Sequence, residues 1–233
     1  MNFALILQAT LPSLPITASD LGTIAQAITI QLNRDVAPIW GGSHVVRTSD
    51  GKDLQPGEVA FAIVNTLPDA PGAVAYHDVN GNGVPVAFEA VSMCSSIMSG
   101  SDSVSVAISH ECIETIGDAA CNLWADDGQG NEWARELCDA VESEWYSISV
   151  NAINVNVSDF LLPAFFDLNA SGPYSFLNYA QKPFRTGPNG YQIKRTSGTG
   201  EQQVSATQLG IRRMHSRKRE HWSSRAYRRG FRI

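Results

Sequence analysis

Ser109-His110-Glu111-Cys112-Ile113-Glu114 is the stretch on which the reading of this chain turns. It keeps the spacing of the H-E-x-x-H pattern, in which two imidazoles one helical turn apart hold Zn²⁺ and a glutamate activates a water, but Glu114 stands where the second histidine would be. On a helix His110 and Glu114 project from one face. Glu111 lies about 100° around from His110, beside the ligand line, where a general base belongs. A carboxylate still ligates a metal, and it makes the site more negative and more receptive to harder cations.

The flanks predict a helix over about 103–116. Ser99 to Ser103 supply capping side chains, Val104, Ala107, Ile108, Cys112, Ile113 and Ile116 form a wide apolar face, and Gly117 is placed as its stop. A catalytic Zn²⁺ takes three protein ligands and leaves a fourth position for water, so a third must come from elsewhere. The run Glu136-Leu137-Cys138-Asp139-Ala140-Val141-Glu142 is the obvious donor. Glu136 is favoured as ligand, Asp139 as an alternative ligand or the group that orients one, with Glu142 behind them.

Upstream, Met1 to Leu7 reads as a first strand. It has no basic leader region, and its apolar stretch is short for a signal peptide. Asp20 can cap a helix to about Asp35, ended by Pro38 and Gly41-Gly42. Segments 43–48, 58–65, 73–77 and 84–91 read as strands. Downstream come a loop at 126–130, a short element at 132–142, and strand-like alternation from Ile148 to Val157 with a slip near Ala152 that suggests a bend or bulge. Gly187 to Ile193 reads as a turn into a short strand. Asp78-Val79-Asn80-Gly81-Asn82-Gly83 with Glu89 at the twelfth position matches an EF-hand loop, but its flanks alternate as strands do and Pro85 interrupts it, so a hairpin turn is the better reading. His77, at the mouth of that hairpin, could approach the site, although a lone histidine is more often a local hydrogen-bonding residue.

A hydrophobic content of 43% against 17% charged residues suits a protein with a sizeable core. No run approaches the roughly 20 apolar residues of a membrane span. The four cysteines form no C-x-x-C pair, and reduced thiols in a cytoplasm-like compartment are expected, with Cys121 and Cys138 able to pair under oxidising conditions. The net charge of −6 conceals an asymmetry. Residues 211–233 hold nine of the 17 basic residues and one of the 23 acids, Glu220, which leaves −14 on the body and +8 on the tail.

The order of helix, strands and H-E-x-x-E helix, followed by an acidic cluster, resembles the zincin metallopeptidase fold. The thermolysin-like branch takes its third ligand from an E-x-x-x-D pattern, where this chain offers Glu136-x-x-Asp139, one residue shorter. Ser109-His110-Glu111-x-x-Glu114-x-x-Gly117-Asp118 with Glu136-x-Cys138-Asp139-x-Val141-Glu142 is similar to a group of HExxE proteins of bacteria and tailed phages that have no established activity. Asn33-Arg34-Asp35-x-Ala37-Pro38-x-Trp40 and Phe160-x-Leu162-Pro163-Ala164-x-Phe166 extend the likeness over roughly residues 20–195. It implies an α+β, zincin-like domain with a mixed sheet over about 1–200 and a basic arm over 201–233.

In the arm, Arg212, Arg213, Arg217, Lys218, Arg219, Arg225, Arg228 and Arg229 interleave with Trp222, Tyr227 and Phe231 and show no apolar periodicity. Such a segment suits phosphate neutralisation with base stacking on a nucleic acid, or docking on an acidic protein surface, including a neighbouring copy. The leading expectation is a metal-dependent, peptidase-like hydrolase: His110, Glu114 and Glu136 would hold Zn²⁺ (Mn²⁺ or Ca²⁺ as alternatives), Glu111 would serve as base, and a peptide or protein would be the substrate. Tyr146 or His77 would be available to stabilise an oxyanion. The competing expectation is a structural or assembly protein, a phage virion component that meets other virion proteins, whose metal site staples the fold. The expected location is cytoplasmic, or a host cytoplasm or virion for a phage-encoded chain, with no membrane partner.

Overall fold

The computed structural model describes residues 1–196 and 200–205. Strands β1 (Asn2–Leu7), β2 (Val45–Ser49), β3 (Glu58–Val64), β4 (Ala75–Val79) and β5 (Pro85–Ala90) form one sheet in the order β2-β1-β3-β5-β4. The first three pairings are parallel and β4 runs antiparallel to β5, so the sheet is mixed and β4 lies at its edge. Alternation places the core face: Val59, Phe61 and Ile63 of β3 are all buried while the residues between them are not.

Helix α1 (Ala18–Gln31) packs on β1 and β2, and the motif helix α3 (Val104–Gly117) packs on β4 and β5. A hairpin of β8 (Trp145–Val150) and β9 (Ile153–Ser158) lies against both helices. Its Ile148, Val150, Val155 and Val157 join Leu21, Ile24, Ile28, Ile108, Cys112 and the sheet in one core. The class is α+β, with the helices between sheet and hairpin.

Several boundaries differ from expectation for local reasons. Asp20 is not the cap of α1. The Thr17 hydroxyl accepts from the Asp20 N–H at 3.1 Å and the Asp20 carboxylate accepts from the Thr17 N–H at 2.9 Å, a reciprocal box that starts the helix at Ala18. Nor does the helix stop near Asp35: it passes through a π turn, Leu32–Val36, into α2 (Ala37–Trp40). Pro38 is accommodated because it falls in the first turn of that last segment, where no N–H is needed. Gly117 is the last helical residue of α3, and Asp118 caps it.

The element expected at 132–142 divides into a strand, β7 (Asn131–Ala134), paired with β6 (Trp124–Asp126), and a single 3₁₀ turn, Asp139–Val141. The slip near Ala152 is not a bulge. Asn151 and Ala152 both adopt positive φ and close a two-residue turn in which Val150 pairs with Ile153. β10 (Tyr191–Thr196) adds to β7, and β11 (Gly200–Ser205) adds to β10, which carries the sheet past the expected domain end at 200. The 78–89 segment is a hairpin, with Asp78 opposite Val86. Among the described residues, no helix is long and apolar enough to cross a membrane.

Candidate metal centre

Every residue of α3 except Ile116 is buried. A helix enclosed on all sides must settle its polar side chains against neighbouring elements, because an unmatched polar group is costly away from water. Ser109 does so through α1 and β9: its hydroxyl donates to Gln31 Oε1 at 2.6 Å and accepts from the Ser158 N–H at 3.0 Å, while Gln31 Nε2 donates to the Ser158 carbonyl at 2.9 Å. This network sets the rotation of α3, and with it the direction in which His110, Glu111 and Glu114 point.

Those three meet side chains from two other parts of the chain. Asp139 and Glu136 arrive on the stretch between β7 and β8, which is drawn against α3 by the Cys138 N–H donating to Glu114 Oε1 at 3.2 Å. His77 arrives on edge strand β4. Glu114 and Asp139 flank His110, with Glu114 Oε1 3.2 Å and Asp139 Oδ1 3.4 Å from His110 Nε2. On the other side, His77 Nδ1 lies 3.1 Å from Glu111 Oε2 and 3.6 Å from Glu114 Oε2, and its Nε2 lies 3.9 Å from Glu136 Oε2. Two groups therefore present donor atoms within 4.8 Å of one another, His110–Glu114–Asp139 and His77–Glu114–Glu136, and all their members are buried. The chain holds His/carboxylate groups that could bind a metal ion.

The four residues singled out as ligands converge, but in a different arrangement from the expected one. Asp139, not Glu136, completes the set around His110 and Glu114, and Glu136 faces His77. Placing His77 needed the tertiary position of β4, and nothing local to the hairpin marks it. Tyr146 is directed elsewhere: its hydroxyl donates to Asp35 at 2.7 Å and its ring packs on Phe176. The Cys121 thiol donates to the His77 carbonyl at 3.8 Å and the Cys138 thiol to the His110 carbonyl at 3.7 Å, so two thiols brace the backbone under the two imidazoles. All four cysteines are free. Glu89 is fully buried on β5, and the Cys94 thiol donates to it at 3.3 Å. Strand alternation from Ala87 gives that inward direction.

Electrostatics bind the cluster together. Burial opposes charging of His77, but Cys121 and the Glu111 and Glu136 carboxylates outweigh it and hold its pKa well above the ordinary value. Burial likewise opposes His110, and Glu114 and Asp139 overcome it in the same direction. Burial, then the neighbouring Asp139 carboxylate, push Glu114 up to about 8. Burial, with Glu111 adding, raises Glu89 well above the usual carboxylate range.

A small cleft open to solvent reaches the cluster, lined by His110 and Glu111 together with Val74 and Ala75 beside the sheet edge, Ser101, and Glu142. The arm residues Arg212, Arg213, Arg217, Lys218, Arg219, Arg225, Arg228 and Arg229 lie outside the described residues. No family model, curated protein or solved structure matches this chain.

Proposed function

We propose that this chain is a metal-dependent hydrolase, with peptide bonds as its substrate class, built on a zincin-like body. The observation that carries the reading is the donor spacing around His110. Ligands bound at about 2.0–2.1 Å in a tetrahedral set stand ~3.3 Å apart. Glu114 and Asp139 lie 3.2 and 3.4 Å from His110 Nε2. One imidazole and two carboxylates suit Zn²⁺, with Mn²⁺ as the nearest competitor. Bound there, the ion would polarise a carbonyl oxygen and acidify a water.

The chain's own residues supply the rest. Glu111 lines the cleft beside His110 and is the group placed to accept a proton from a water at that position. His77, 3.1 Å from Glu111 Oε2, fixes the direction of that carboxylate. Val74 and Ala75 bring the edge of the sheet to the same cleft, where an extended peptide can lie alongside β4. The order of elements, with the H-E-x-x-E helix packed on a mixed sheet, supports the zincin-like assignment.

Burial favours a second reading, in which the ion only staples α3 to the 136–139 stretch: His110, Glu114 and Asp139 are at most 7% exposed. Glu111→Gln separates the two. For a hydrolase, this variant keeps its metal content and melting temperature and loses cleavage of an unfolded, fluorescently labelled protein that the native chain cuts. For a staple, neither protein cuts, and His110→Ala lowers the melting temperature.

A further inference from the structure

The cluster contains more donors than one ion uses, and their arrangement has an axis. Glu114 alone belongs to both candidate groups. Its two oxygens divide between them, Oε1 standing 3.2 Å from His110 Nε2 and Oε2 3.6 Å from His77 Nδ1. Beyond each imidazole waits a further carboxylate, Asp139 on the His110 side at 3.4 Å and Glu136 on the His77 side at 3.9 Å. A carboxylate that turns one oxygen to each of two imidazole–carboxylate pairs has the shape of a bridge between two cations, which in two-metal sites stand ~3.5–4 Å apart.

We infer that the centre is dinuclear, with one divalent cation on His110, Asp139 and Glu114 Oε1 and a second on His77, Glu136 and Glu114 Oε2. This deepens the metal-centre reading above and rests on it.

The number of donors points the same way. Glu111, Glu114, Glu136 and Asp139 are all at most 8% exposed. Four carboxyl groups and two imidazoles in one enclosed volume are more donors than a single ion ligates, and buried carboxylates call for cations beside them. Glu111 lies 3.1 Å from His77 Nδ1, which leaves Nε2, 3.9 Å from Glu136 Oε2, as the nitrogen for the second cation.

The test is Mn²⁺ binding to the full chain after chelator treatment, counted by equilibrium dialysis with elemental analysis and read by electron paramagnetic resonance. The expected result is two Mn²⁺ per chain with an exchange-coupled spectrum. Glu136→Gln, and independently His77→Gln, should reduce this to one ion with an uncoupled spectrum. One uncoupled Mn²⁺ in the native chain, retained in Glu136→Gln and lost in Asp139→Ala, overturns the dinuclear centre and leaves the single-ion reading standing. Two uncoupled ions, or a second ion that survives both Gln variants, also overturn it, since the extra ion then sits elsewhere. No bound ion with either Mn²⁺ or Zn²⁺ removes both readings. The native stoichiometry decides even where a variant fails to fold.

Discussion

Gly117 and Leu137 lie so close that no side chain fits between them: a β-carbon on Gly117 would stand 2.5 Å from both Cγ and Cδ1 of Leu137. The glycine is there for close approach, since its backbone is not in the left-handed region. That approach brings the stretch bearing Glu136, Cys138 and Asp139 down onto the helix bearing His110 and Glu114. Gly117→Ala should therefore cost about 1–3 kcal/mol by overpacking and weaken metal binding as well. Adding Leu137→Ala removes the clashing atoms and should restore metal affinity while stability stays low. Thermal melts beside a chelator-competition titration check both. Unchanged affinity in the single variant would show that the packing does not position the ligands.

The hydrogen bonds of Ser109 predict a second cost. Ser109→Ala takes a donor from Gln31 Oε1 and an acceptor from the Ser158 N–H, both in the interior. About 1–3 kcal/mol of stability should be lost, measured by urea denaturation. Gln31→Leu on the same background should cost less than it does alone, because the shared network is already broken.

Acid should weaken metal binding from an unusually high pH. His77 and His110 hold their protons above the ordinary imidazole range, and Glu114 is raised to about 8. A cation on His110 and Glu114 requires a neutral imidazole and an ionised carboxylate, so both must release protons as it enters. The sign is the same for each: affinity falls as pH drops through the raised values. Zinc dissociation constants measured between pH 6.5 and 8.5 should improve by about tenfold per pH unit for each proton displaced. Affinity flat across that range would show that the metal-free cluster is not protonated.

Asp159 should affect stability in the opposite sense from an ordinary surface carboxylate. Burial raises it from 3.8 to about 6, although the Phe160 and Leu177 N–H groups donate to it. The folded chain then binds this proton more tightly than the unfolded chain does. Its contribution is complete below 3.8 and is lost as pH rises to about 6, a difference of about 2–3 kcal/mol. Asp159→Asn retains an acceptor for both N–H groups and loses the buried charge. It should be more stable than the native chain at pH 7.5 and lack the native slope between pH 4 and 6. Parallel pH profiles of the melting temperature test this.

Strands and the motif helix were legible because each carries its own periodicity: β3 alternates, and Ser103 followed by the apolar face of Val104 to Ile116 marks α3. Legibility failed where one residue has two possible roles. Thr17 and Asp20 are both capping types, and only their reciprocal bonds show which stands outside the helix. Pro38 reads as a terminator but is tolerated in a first turn. In the site, His110, Glu111 and Glu114 could be grouped from spacing alone because one helix presents them. His77 comes from a distant strand, and the choice between Glu136 and Asp139 depends on how an irregular stretch settles against Gly117. No periodicity encodes either.

Of the cluster, His110 and Glu111 line the cleft, and His77 and Glu136 do not. Exposure does not separate the two sides, however: His77 and His110 are each 7% exposed and Glu136 8%. Neither imidazole is sealed behind the other, so a chelator would strip both sides together and would leave no half-emptied protein behind.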